Sequence, residues 1–195
     1  MNFLTDFADQ AVVLPVVASV ALVLALLGWW RAALVWLAVV GVTFGVILVL
    51  KLGFQACTPV FGPWALRSPS GHTAAAAVVA GGLAALLSRH QWAVWLVSVS
   101  AAAAIGMSRL ELGLHSVPEV LIGATAGIAG AIILSRLAGP PPVQRKLPLL
   151  AIACVLALLL HGLHLPAEAA IWRASVGVLN FVPACRGETG PAAPR

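Results

Sequence analysis

The stretch Ala32–Leu50, AALVWLAVVGVTFGVILVL, decides the fold of this chain. It contains no charged residue and a single hydroxyl side chain, and a helix needs about 20 apolar residues to cross the hydrocarbon of a bilayer. Inside lipid, backbone N–H and C=O groups must be satisfied by the segment itself, and a helix does this. The stretch therefore predicts a transmembrane helix.

Comparable apolar runs occur along most of the 195-residue chain, which is 62% hydrophobic, only 9% charged and has a mean hydropathy of +1.05. A soluble domain needs more charge at its surface. We therefore predict an all-α, polytopic bundle of about six transmembrane helices in one domain, 1–195. The predicted spans are 11–28, 32–50, 73–88, 91–107, 117–135 and 147–163. In the tail, 164–195, we expect an interfacial helix, with a partial seventh span as the alternative.

Charge predicts the orientation of these spans. The loops 29–31, 89–90 and 136–146 carry five basic residues and no acid, whereas the other side, with both termini, carries six of each. The positive-inside rule assigns the basic side to the cytoplasm, here of a bacterial-type inner (plasma) membrane. The N-terminus has no basic stretch, so we expect it to be retained and translocated rather than cleaved as a signal. The net charge of +5 reflects orientation, and we expect no nucleic-acid partner.

Groups suited to phosphate cluster in the outward segments. Ser70 and Gly71 stand at a predicted helix start, where free N–H groups and the helix dipole favour an anion. Arg109 offers two donors to phosphate oxygens, and Lys51 offers a point charge. Arg67, three residues before Ser70, is either a further phosphate ligand or a headgroup anchor.

Two histidines accompany these cations. His115 and Glu119 are four residues apart at a helix start, so the carboxylate can fix the tautomer of the imidazole and strengthen it as a nucleophile. His72 could protonate a leaving oxygen. The competing interpretations are structural: Ser116-x-x-Glu119 has the pattern of a capping box, and Ser70 that of a simple N-cap.

These residues resemble the signature of the type-2 phosphatidic acid phosphatase superfamily. Its middle motif is intact in residues 69–72, Pro-Ser-Gly-His, and its third motif runs from Ser108-Arg109 through His115 to Glu119. Its first motif is Lys, six residues, then Arg-Pro, and here Lys51 leads to Thr58-Pro59. Thr58 therefore stands where the family usually has arginine, and Glu119 replaces the usual aspartate. We hypothesise that Arg67 supplies the missing guanidinium.

The resemblance implies a mechanism and a substrate class. His115 would form a phosphohistidine, and His72 would be the general acid. The phosphoryl oxygens would be held by Lys51, Ser70, Gly71 and Arg109, without a metal or other cofactor. The implied partner is a phosphorylated lipid in the bilayer, such as isoprenoid (undecaprenyl) diphosphate, phosphatidylglycerol phosphate, phosphatidic acid or lipid A. The sequence does not choose among these lipids and does not indicate an oligomeric state.

Several alternatives stay open at this point. The same site could transfer phosphate to another lipid or sugar, or the fold could serve a non-catalytic lipid-binding or transport protein. Cys57 and Cys185 fall on the oxidising side and could form a disulfide. His161 and His164 are spaced to bind a metal, although interfacial polar residues are the preferred interpretation.

Overall fold

A computed structural model describes residues 2–56, 68–88, 90–139 and 146–179. All regular structure in these ranges is helical, which confirms the predicted all-α fold. The helices are α1 (Asn2–Asp6), α2 (Gln10–Leu26), α3 (Trp30–Ala56), α4 (Gly71–Leu87), α5 (Gln91–Glu111), α6 (Val117–Leu137), α7 (Lys146–Leu159) and α8 (Ala167–Leu179).

Helices α2 to α7 overlap the six predicted spans, and the number of these helices that cross the membrane stays a prediction. The apolar helices make the chain a multi-pass membrane protein. Four segments of the described chain are long and apolar enough to cross a membrane: Phe3–Leu26, Trp30–Gln55, α5 and α6. Two shorter apolar helices, Gly71–Leu87 and Leu147–Leu159, complete the set. The predicted tail helix is present as α8, and its interfacial position stays a prediction.

Three helix ends differ from the predicted ones by four residues or more. Helix α3 continues through Lys51, and α5 continues through Arg109, so these two cations belong to helices and not to loops. Neither helix ends at its charged residue. In α3, Lys51 has a counterion, and in α5, Arg109 stands in the last turn, where the helix dipole favours a cation. Helix α7 instead ends early, before Gly162, whose φ of 84° is incompatible with a right-handed helix.

Glycines let α6 lie almost in backbone contact with α4. A Cβ added to Gly123 would lie 2.3 Å from the carbonyl oxygen of Ser70, and one added to Gly127 would lie 2.4 Å from that of Ala74. Between helices in lipid, such close packing replaces the hydrophobic effect as the source of association. The Gly123-x-x-x-Gly127 spacing therefore places both glycines against α4, and this contact fixes the first turn of α4 against α6.

The two ends of the bundle differ in character. Helices α3 and α5 end, and α4 and α6 begin, at the same end, where Lys51 and Arg109 meet the first turns of α4 and α6. Helix α1 caps this end, since the hydroxyls of Thr5 and Ser108 are 2.6 Å apart and buried. At the opposite end, Arg31 Nε donates to the carbonyl oxygen of Leu137 at 3.2 Å.

Substituting Gly127→Ala should destabilise the bundle by about 1–3 kcal/mol, because the new methyl group has to push α4 away from α6. The matched control is Gly41→Ala in α3, where an added Cβ meets nothing within 4 Å. Unfolding of both variants in detergent, followed by circular dichroism, measures the difference. Equal stability of the two variants would contradict the close contact.

Candidate active site

The carboxylate of Glu119 lies at the centre of the polar end. It is buried, at 5% exposure, and its Oε2 accepts hydrogen bonds from the Ser116 N–H (2.9 Å) and from Nδ1 of His115 (3.2 Å). Its Oε1 accepts from the Ser68 N–H at 2.8 Å, and its main-chain oxygen accepts from the Ser70 N–H at 3.0 Å. The alternatives of helix cap and histidine partner are therefore both realised by this one side chain.

His115 lies two residues before α6, next to the N-cap Ser116, and its side chain is 6% exposed. Because Nδ1 donates its proton to Glu119, Nε2 carries the free lone pair. Burial lowers the pKa of His115 below its ordinary value, and the positive charges of Arg109 and Lys51 lower this pKa further, against the opposing effect of Glu119. The imidazole is therefore kept neutral, which is the protonation state that a nucleophile needs.

The first turn of α4 presents the Pro-Ser-Gly-His segment. Ser70 is fully buried and caps the helix: its hydroxyl lies 2.8 Å from that of Thr73 and accepts from the Thr73 N–H at 3.4 Å. Ser70 is thus occupied as the N-cap, and its role at a phosphate stays a prediction. Gly71 borders Lys51, since an added Cβ would lie 3.4 Å from Cε and 3.9 Å from Nζ of the lysine.

Two buried cations complete the arrangement. Arg109 is 8% exposed, and within the described part of the chain its Nε is buried without a hydrogen-bond partner. A buried donor in that state costs about 1–3 kcal/mol, so the site suits an added acceptor such as a phosphoryl oxygen. Lys51 is 2% exposed and pairs with Glu168 of α8. The charges of Lys51 and Arg109 act on both His72 and His115, so the structure brings all four residues together.

Sequence reasoning missed two acids at this end. Asp9 Oδ2 lies 3.9 Å from Nε2 of His72, and its Oδ1 accepts from the Leu165 N–H at 3.1 Å. Glu168 is the partner of Lys51. The available signal was the scarcity of acids: only six occur, so any acid at the outward ends of the spans was a candidate.

Some predicted residues lie elsewhere. Thr58, Arg67, Cys57 and Cys185 are outside the described residues. His161 Nε2 is 2.9 Å from the carbonyl oxygen of Phe3, and His164 is largely exposed, with Nδ1 3.5 Å from Asp9 Oδ2. These two histidines join the N-terminal segment to the end of α7. No group of three metal-ligating side chains is found in the ranges that the structure describes.

A cavity of about 350 Å³ opens beside the site, between α3 and α8. Its polar end is formed by Asp9, Lys51, His72 and Glu168. The rest of its lining is mainly apolar and includes Phe44, Ile47, Leu48 and Ile171. The cavity therefore joins two of the site's basic side chains to a surface suited to hydrocarbon.

The fold and the site together define a class: a helical membrane bundle in which two histidines and two buried cations converge at one end. Comparison with protein families agrees, because the PAP2 superfamily matches residues 32–140, more than half of the chain. The chain belongs to the PAP2 superfamily, as its motifs indicated. Members of this superfamily are phosphatases, which supports a phosphoester hydrolase. Comparisons with curated proteins and with solved structures found no match.

The lowered pKa of His115 can be measured directly. A histidine with a lowered pKa stays neutral as the pH falls, so His115 should protonate only below about pH 6.5, the ordinary histidine value. NMR titration of the protein with ¹⁵N-labelled histidine gives the midpoint, and His115→Asn identifies the resonance by its loss. A midpoint for His115 at or above 6.5 would show that burial and the two cations do not control this group.

Proposed function

We propose that the chain is an integral membrane lipid phosphatase that works through a phosphohistidine on His115. The observation that supports this most is the buried contact of Glu119 with Nδ1 of His115, which leaves Nε2 as the free nitrogen. Arg109, whose buried Nε has no hydrogen-bond partner among the described residues, and Lys51 supply the charge that a phosphoryl group needs.

In the first half-reaction, Nε2 of His115 attacks phosphorus and forms an N–P bond. The bond from phosphorus to the leaving oxygen breaks, and His72 gives this oxygen its proton. In the second half-reaction, water gives a proton to His72 and attacks phosphorus. The N–P bond then breaks, which releases phosphate and restores His115. Glu119 holds the ring throughout and stabilises the charge that develops on it.

The proposed substrate is a lipid with a phosphomonoester or diphosphate headgroup. The cavity between α3 and α8 supports this choice, because its polar end contains Lys51 and His72 while Phe44, Leu48 and Ile171 offer an apolar wall. Isoprenoid diphosphate, phosphatidylglycerol phosphate, phosphatidic acid and lipid A all fit this description. From the charge distribution of the loops, we place the site at the outer face of a bacterial-type inner membrane.

Separate substitutions of His115 and His72 should distinguish the nucleophile from the general acid. His115→Ala should abolish phosphate release from every substrate, because no covalent intermediate forms. His72→Ala should reduce release from phosphatidic acid by about 10²–10⁴-fold, the usual contribution of a general acid. The same variant should lower phosphate release from p-nitrophenyl phosphate much less, since p-nitrophenolate leaves without a proton.

Phosphate release in detergent micelles, with the lipid panel and p-nitrophenyl phosphate, measures both effects. Wild-type protein that releases no phosphate from any lipid would contradict the proposed function. A phosphorylated acceptor without free phosphate would indicate a transferase instead. Equal losses in His72→Ala on both kinds of substrate would reject the general-acid role.

We also propose that Arg67 takes the place of the arginine that the family usually has at the position of Thr58. Its neighbour Ser68 donates to Glu119, so Arg67 directly precedes a residue bound at the site. Arg67→Ala should then lower kcat/KM by about 10–100-fold, the scale of one hydrogen bond to a charged group. Arg173→Ala, a surface arginine on α8, is the matched control. Full activity of Arg67→Ala beside an inactive Arg109→Ala would disprove the replacement.

A further inference from the structure

We propose that Glu168 determines which phosphates reach Lys51, acting as a displaceable counterion that excludes the singly charged phosphodiester headgroups of ordinary membrane lipids. This inference rests on the proposed phosphatase function and names the substrate class of the same site. The selected class is a lipid with a dianionic phosphomonoester or a diphosphate.

The burial of Lys51 requires a counterion at all times. Its side chain is 3% exposed, and an unpaired ammonium in that position would be strongly unfavourable. In the structure, the counterion is the Glu168 carboxylate. A phosphoryl group held by Lys51 would occupy the same position, so the carboxylate and the substrate compete for one ammonium.

The two partners differ in their freedom to move. Lys51 lies within α3, beside Gly71 of α4, whereas the Glu168 side chain is 46% exposed and stands in the first turn of α8. Glu168 can therefore turn away from Lys51 when an anion arrives, while the ammonium stays in place. The exchange is open to any anion that enters the cavity between α3 and α8, because both partners line it.

The charge of the incoming anion then decides whether it displaces Glu168 from Lys51. A phosphodiester headgroup carries one negative charge, so it replaces one monoanion with another and gains little. A phosphomonoester dianion or a diphosphate brings more charge to Lys51 and Arg109 and displaces the carboxylate more readily. Asp9, which lines the same cavity, adds to the repulsion of weakly held anions. Most membrane phospholipids are phosphodiesters, so without Glu168 they would occupy the site as inhibitors.

The test compares Glu168→Gln with wild type in phosphate release from phosphatidic acid in neutral detergent micelles, as phosphatidylglycerol is added. Removing the carboxylate charge should strengthen inhibition by phosphatidylglycerol about tenfold, the effect expected from a single charge contact. Glu168→Asp, which keeps the charge, should lie near wild type. Glu111→Gln, the same change at an exposed acid on the same end of the bundle, should leave the inhibition unchanged.

A second measurement is independent of turnover. Native mass spectrometry of the full chain should show more phosphatidylglycerol bound to Glu168→Gln than to wild type, and Lys51→Met should remove the excess in the double variant. Equal inhibition and equal binding in wild type and Glu168→Gln would overturn the inference, even with an active enzyme. Wild type without activity on any lipid would instead reject the proposed function. A raised KM in Glu168→Gln, without new sensitivity to phosphatidylglycerol, would make Glu168 a support for Lys51 and also overturn the inference.

Discussion

The buried carboxylate of Glu119 is the constraint on which the polar end of the molecule depends. A carboxylate at 5% exposure has to be surrounded by donors, and among the described residues these include the Ser68 N–H, the Ser116 N–H and His115. Because one donor belongs to the segment before α4 and the others to the segment before α6, satisfying the carboxylate brings the two histidine-bearing segments together. The family's usual aspartate is one methylene shorter, and the longer glutamate still reaches these donors.

This arrangement depends in turn on how closely the helices approach in lipid. The Ser70 N–H reaches the main-chain oxygen of Glu119 at 3.0 Å only because Gly123 has no side chain between the two backbones. Without a hydrophobic driving force between helices, such close packing and the hydrogen bonds it permits stabilise the bundle. The small residue that allows close packing here, Gly123, therefore also sets the geometry of the candidate site. Stability and site geometry cannot be varied independently at this position.

The sequence predicts the parts of the molecule that depend on local signals. Hydropathy locates the helices, and the His115–Glu119 spacing predicts a contact within one helical turn that the structure contains. Helix ends are less predictable: the apolar run ends at Leu50, although the Glu168 counterion of Lys51 allows the helix to continue to Ala56. That counterion, Glu168, lies 117 residues further along the chain, and no local pattern encodes a contact of that separation. The approach of Asp9 to His72 was missed for the same reason.

The distribution of charge explains how a site with few cations can serve a demanding reaction. In the described part of the chain, Lys51 and Arg109 face Asp9, Glu119 and Glu168, so the side chains of the site carry no excess of positive charge. Catalysis depends on interactions that strengthen on the way to the transition state. On the proposed account, the charge of Lys51 is neutralised by Glu168 until a dianion displaces the carboxylate, and the Nε of Arg109 gains its acceptor at the same moment. The positive charge then acts on the substrate and not on other lipids. This partly compensates for the positive charge that the family's usual arginine would supply at the position of Thr58.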